Sequence, residues 1–144
     1  MTDSHRSSTG LASASAAEMS IRLPGDVELF RPVRLAIGGL AAHVGFDVAA
    51  IDDLRIAVDE LCGALAEVGD GAPLDLRILI SPGEGLRVEG RTERVNRDVD
   101  ADRIAFSRQI LSVVADVHSM DLDGDEVCFW LERRVEGGPP PAGS

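Results

Sequence analysis

The spacing of apolar residues along the chain changes period several times. Met19, Ile21 and Leu23 alternate with Ser20 and Arg22, the signature of a strand with one buried face, and Pro24-Gly25 ends the run. After Asp26, a plausible N-cap, Leu29, Val33, Ile37, Leu40 and Val44 recur at helical spacing, with Pro32 early enough to be tolerated. Gly38-Gly39 weakens that helix or marks close packing, and Gly45 ends it. The clearest segment follows. Ile51, Leu54, Val58, Leu61, Leu65 and Val68 are spaced 3, 4, 3, 4 and 3, which places them on one stripe of a helix. Asp52 and Asp53 fall in its expected first turn, and Gly69-Asp70-Gly71 closes it.

Leu74, Leu76, Ile78 and Ile80 then alternate as a strand, Pro82-Gly83-Glu84-Gly85 reads as a hairpin turn, and Leu86 and Val88 lie on the return strand. Residues 91–102 are polar and predict a loop. Residues 104–117 predict a third helix, with Phe106, Ile110, Val113 and Val117 spaced 4, 3 and 4. A turn over residues 120–125 leads to a last strand in which Val127, Phe129 and Leu131 alternate with Cys128, Trp130 and Glu132. The expected order is β-α-α-β-β-α-β. Helices kept apart from an antiparallel hairpin predict an α+β chain, a two-layer α/β sandwich, rather than a doubly wound sheet.

At 144 residues one domain is the expectation. Residues 4–17 hold five Ser and four Ala, and residues 136–144 are rich in Gly and Pro. Flexible tails are therefore expected over residues 1–18 and 136–144, with the domain over 19–135. The longest uncharged apolar run, residues 35–42, is far short of the ~20 residues of a membrane span. The net charge is −11, and all fourteen cations are arginine. Residues 98–126 carry eight acids against Arg103 and Arg108, a local charge of −6. Such a surface repels phosphate backbones and anionic lipid, so neither nucleic acid nor membrane is an expected partner. It suits a basic protein, and Asp98, Asp100 and Asp102 are the candidate partner-binding residues. Simple solubility is the plainer reading of the same charge. Two cysteines, Cys62 and Cys128, are too few for a disulfide framework. With no apolar segment after Arg6 to serve as a secretory signal, the cytoplasm is the expected location.

The remaining constellations point to ordinary structure. The aspartates at 98–102 and 121–125 fail the glycine rule of a calcium hand. His5, His43 and His118 lie far apart with no ligand spacing, so no metal is expected. Cys62 reads as a small core residue beside its helix's apolar stripe. Asp59 and Glu60 point ~100° apart on a helix and form no acid–base dyad. Glu60 shares a separate stripe with Ile56 and Ala64.

The segment Asp53-Leu-Arg-Ile-Ala-Val-Asp-Glu-Leu-Cys62 resembles the second helix of the Bergerat-fold (GHKL, histidine-kinase-like) ATPases, in the branch of bacterial anti-sigma factors with serine-kinase activity. There the helix reads roughly Asp-Leu-x-x-Ala-Val-x-Glu-Ala-x-x-Asn. Arg22-Leu-Pro-Gly25 resembles the family's opening strand and its exit, and residues 29–46 its first helix ending in Gly-Phe. Leu111-Ser-Val-Val-Ala-Asp-Val117, followed by a strand ending at Arg134, resembles its last helix and strand. The likeness spans about residues 20–135.

The resemblance implies a helix Glu acting as base and an Asn one turn later holding magnesium. Glu60 matches the first, but Ala64 stands at the second, and a methyl group cannot ligate a hard cation. The family's two glycine boxes let backbone approach the nucleotide. No glycine occurs from Arg91 to Asp123: the first box position reads Arg91-Thr-Glu-Arg-Val95, and the second falls near Ile104 and Phe106. The expectation is a degenerate member in which Glu60 is a relic base and Glu60 and Ala64 mark a degenerate pocket. No catalytic residue and no cofactor are expected. The implied role is an anti-sigma-factor-like regulator that binds a sigma factor or an anti-anti-sigma protein, as a homodimer by analogy. One alternative is an active ATP- and Mg-binding anti-sigma factor with serine-protein kinase activity. Another is a scaffold domain with a non-sigma partner.

Overall fold

The computed structural model describes residues 16–136. Among these the elements are β1 (Ala17–Leu23), a 3-10 turn (Val27–Leu29), α1 (Phe30–Val44), α2 (Val48–Gly69), β2 (Leu74–Ser81), β3 (Gly85–Glu93), α3 (Ala101–Val114), β4 (Val117–Met120) and β5 (Glu126–Arg134). The chain is α+β: three helices and a five-stranded antiparallel sheet in the order β1-β2-β3-β5-β4.

Strand alternation divides the sheet into two unlike faces. Leu74, Leu76, Ile78, Leu86, Val88, Val127, Phe129 and Leu131 are buried in the core with Val33, Ile37 and Val44 of α1 and Leu54, Val58, Leu61, Leu65 and Val68 of α2. Gly90 of β3 sits under α2. A Cβ there would overlap Leu65 Cδ1 and crowd Leu76 and Leu61, so the close approach of helix to sheet depends on the missing side chain.

The other face is charged. Glu18, Arg77, Glu89, Arg87, Glu132 and Arg134 form a chain of ion pairs across β1, β2, β3 and β5. At its centre Arg87 donates to Glu89 at 2.7 Å and to Glu132 at 2.6 Å, and its guanidinium lies 4.0 Å from the Trp130 ring centroid. All three charged residues of this centre are buried.

Local chemistry sets the element ends. Asp26 accepts from Glu28 N and starts the 3-10 turn. Gly45 ends α1 at φ 113°, a left-handed conformation that costs glycine nothing. The glycine pair before it divides: Gly38 is buried against the Arg55 guanidinium, while nothing lies within 4 Å of a Cβ on Gly39.

Several expectations are corrected. The order ends in two strands, not one, because residues 117–120 form β4 rather than the end of a helix. β4 carries one fully buried side chain, Met120, and is defined by its pairing with β5. α3 begins at Ala101, three residues before the expected start, and Phe106 and Val113 face outward; Ile104, Leu111 and Val114 are its buried residues. β3 runs on to Glu93, inside the expected loop, because Arg91, Thr92 and Glu93 pair with Cys128, Val127 and Glu126. α2 begins at Val48 with Asp47 as N-cap, accepting from Ala50 N at 2.8 Å. That moves Asp52 and Asp53 out of the first turn. Ala17 and Glu18 belong to β1, opposite Ile80 and Leu79, so the strand starts before Met19. The remainder of the expected tails, residues 1–15 and 137–144, lies outside the described residues.

Candidate functional site

Glu60, Ala64 and Glu67 lie on one stripe of α2, at i, i+4 and i+7. α3 is fastened along that stripe. Ser107 donates to Glu60 Oε1 at 3.1 Å, and four residues earlier Arg103 binds Glu67. The two helices therefore run antiparallel. Ala64 is 4% exposed, and Ile104 and Leu111, which flank Ser107, are fully buried. The carboxylate that the resemblance singles out is spent on a hydroxyl of the chain itself, and the adjoining methyl group is core.

The two stretches expected to carry glycine boxes have regular structure. Arg91, Thr92 and Glu93 are strand, and Thr92 donates from its hydroxyl to the Pro73 carbonyl at 3.1 Å. Ile104 and Phe106 are inside α3. The segment between them is pinned to the end of α2: Val95 N and Asn96 N both donate to the Val68 carbonyl, at 3.1 and 2.9 Å, and Val99 is buried.

The three acidic candidates have different roles. Asp100 is the N-cap of α3, accepting from Arg103 N at 3.0 Å. Asp102 lies in the first turn, where the helix dipole favours a carboxylate. Asp98 is exposed in the preceding loop, its N–H donating to Asn96 Oδ1 at 3.1 Å. Through Arg103 and Glu67 this acidic cluster lies near the C-terminal end of α2, beyond Glu60 and Ala64.

A cleft of about 350 Å³ opens at the other end of α2, lined by residues that include Phe46, Asp47, Asp116, Arg133 and Arg134. Neither Glu60 nor Ala64 lines it. Arg133 pairs with Asp53 of α2 at 3.1 Å and donates to the Val114 carbonyl, while Asp116 accepts from the Arg134 backbone N–H.

Among the described residues no group of three or more His, Cys, Asp or Glu is placed to hold a metal ion, and no helix is long and apolar enough to cross a membrane. Cys62 is fully buried; burial, with Asp59 nearby as the smaller cause, pushes its thiol up to about 12. A thiol so protonated is a poor nucleophile. Cys128 is shifted upward too, mainly by burial.

The buried charged centre on the outer sheet face escapes reading from sequence. Arg87, Glu89, Trp130 and Glu132 occupy positions that alternation assigns to solvent. The one signal is opposite charge at positions that become cross-strand neighbours, and it becomes readable once Arg87 is known to pair with Glu132.

No protein-family model matches the chain, and no curated protein matches it either.

Proposed function

We propose that this chain is a protein-binding regulator of the anti-sigma-factor kind, built on a Bergerat-type domain whose nucleotide pocket has been closed by its own third helix. The observation that carries this reading is the α2 stripe on which Glu60 accepts from Ser107 and Ala64 is buried. In the resembled family that stripe faces the nucleotide, and the carboxylate and the amide one turn later do the chemistry. Here the carboxylate accepts from a hydroxyl of the chain itself and alanine replaces the amide, so the magnesium ligand is missing and the base position is turned to a structural contact. A helix and a paired strand stand where glycine would let backbone meet phosphate. Without phosphotransfer, what such a domain does for a circuit is bind proteins. The proposed partners are a sigma factor or its anti-anti-sigma antagonist, in the cytoplasm, with the strongly acidic surface matching a basic partner.

Titration calorimetry with Mg-ATP up to millimolar nucleotide tests the closed pocket. No saturable heat is expected. A Kd near 10 µM, about −6.8 kcal/mol, would overturn the reading in favour of an active ATP-binding kinase. Co-purification from the native host then identifies the partner, and a partner that is no component of a sigma-factor circuit would favour the scaffold alternative.

A further inference from the structure

The third helix is apolar on two sides. Its inner side, Ile104, Leu111 and Val114, is in the core. Its outer side carries Phe106, Ile110 and Val113, which spacings of 4 and 3 bring onto one stripe. Phe106 is 69% exposed and Val113 79%, and Ile110 is partly buried at the margin of the core. Single exposed apolar residues are ordinary, but a phenylalanine continued by two β-branched residues along one helix face is a surface suited to a second apolar face.

Charge decides what that face belongs to. Asp102 stands one turn before Phe106 and extends the same stripe, with Asp98 and Asp100 just ahead of it. Among the described residues none of the three enters an ion pair, whereas the helix's two arginines are turned to other uses: Arg103 to Glu67, and Arg108 to the Met120 carbonyl. The stripe is thus apolar along its length and negative at its N-terminal end, where the adjoining Arg97 and Arg103 are engaged by Asp125 and Glu67 instead. A second copy of the chain would bring the same acids, and a net charge of −11, against its own. An anionic bilayer is repelled in the same way.

We propose that the outer face of α3 is a docking surface for a basic amphipathic helix of a protein partner. Its apolar stripe packs on Phe106, Ile110 and Val113, and its Lys or Arg residues meet Asp98, Asp100 and Asp102. This rests on the protein-binding reading and deepens it by assigning the surface and the chemistry of what it takes. Two helices pack along such stripes, each presenting apolar residues three and four apart, which is the spacing of Phe106, Ile110 and Val113.

The test measures fluorescence anisotropy of the 144-residue chain with three labelled 18-residue peptides: a helix with a leucine stripe flanked by lysine, the same helix flanked by glutamate, and a scramble of the first. The expected result is saturable binding of the lysine helix alone. Phe106→Ser with Val113→Ser should weaken it tenfold or more at an unchanged Tm, since both positions are exposed. Asp98→Asn with Asp102→Asn should weaken it and flatten its salt dependence. Equal binding of the scramble, or an affinity unmoved by the Phe106/Val113 pair, would overturn the proposal, because either means bare charge attraction. So would a wild-type dimer in sedimentation that the same pair dissociates, which assigns the face to a second copy. Binding to phosphatidylserine vesicles abolished by the pair would assign it to lipid and overturn it likewise. A native partner captured equally by wild type and the Phe106/Val113 variant would overturn this surface while leaving the protein-binding reading standing.

Discussion

Removing the Arg87 guanidinium would leave Glu89 and Glu132 buried beside each other without the cation they share, held only by the flanking Arg77 and Arg134 at 3.3 and 3.6 Å. A buried charge that loses a partner costs more than the intact pair stabilises, because desolvation has already been suffered on folding. Because each carboxylate keeps one arginine, Arg87→Leu is expected to lower unfolding free energy by about 2–3 kcal/mol, below the full penalty of an unpaired buried ion. Adding Glu89→Gln and Glu132→Gln should recover a good part of the loss, and urea denaturation of the four variants measures both effects. A loss below about 1 kcal/mol for Arg87→Leu would mean that water reaches this face and screens the carboxylates. Cys62 makes a pH-dependent contribution of definite sign. Burial pushes its folded thiol up to about 12, well above the ordinary thiol range, so folding holds a proton that the unfolded chain releases. Its contribution is complete below pH 9 and is lost as pH rises toward 12, at about 1.4 kcal/mol per pH unit within that window. Cys62→Ala should remove this part of the alkaline slope. Native protein at pH 8 should also leave Cys62 unreacted toward a thiol reagent on a timescale that labels Cys128.

At the scale of the element, α3 carries the most of what is particular to this molecule. Its inner stripe packs in the core, its side toward α2 holds Ser107 and Arg103 on Glu60 and Glu67, and its outer stripe is open. Its N-terminus separates the roles of three aspartates that sequence groups together. Asp100→Ala removes a cap and is expected to cost about 1 kcal/mol. Asp98→Asn touches only an exposed loop and should stay within about 0.5 kcal/mol. Thermal denaturation of the two variants distinguishes them, and equal losses would refute the capping role. A partner-binding measurement on the triple change at 98, 100 and 102 would confuse lost charge with a loosened helix. The pair Asp98 and Asp102 is the cleaner probe. The helix also shows why apolar spacing misleads here: 104, 111 and 114 and 106, 110 and 113 are both valid helical stripes, and nothing within fourteen residues ranks them.

At the scale of the whole molecule, most of the secondary structure is legible in the chain. The stripe from Leu54 to Val68 and the alternation from Leu74 to Ile80 each arise from a single buried face, and one buried face imposes one period. Gly45 and Gly83 mark a helix end and a turn because both adopt positive φ, which is local chemistry. Of the candidate site, the alanine at position 64 is legible at once, since it concerns a single side chain. That Glu60 is bonded to Ser107, forty-seven residues away, is not.

What the sequence alone determined about this protein is the period of α2 and β2, the helix end at Gly45 and the balance of charge, because each depends on residues within a turn or two of one another or on composition alone. Tertiary structure decided three further things. It chose which stripe of α3 enters the core, by the fit of Ile104, Leu111 and Val114 there. It drew residues 117–120 into a strand, because β5 offered an edge with unpaired backbone groups. It buried Arg87 and its strand neighbour Glu89 against Glu132 and Trp130, which antiparallel register brings from a strand more than thirty residues further along the chain. In each case the free energy belongs to a long-range contact, and no local pattern records which of the available partners it will be.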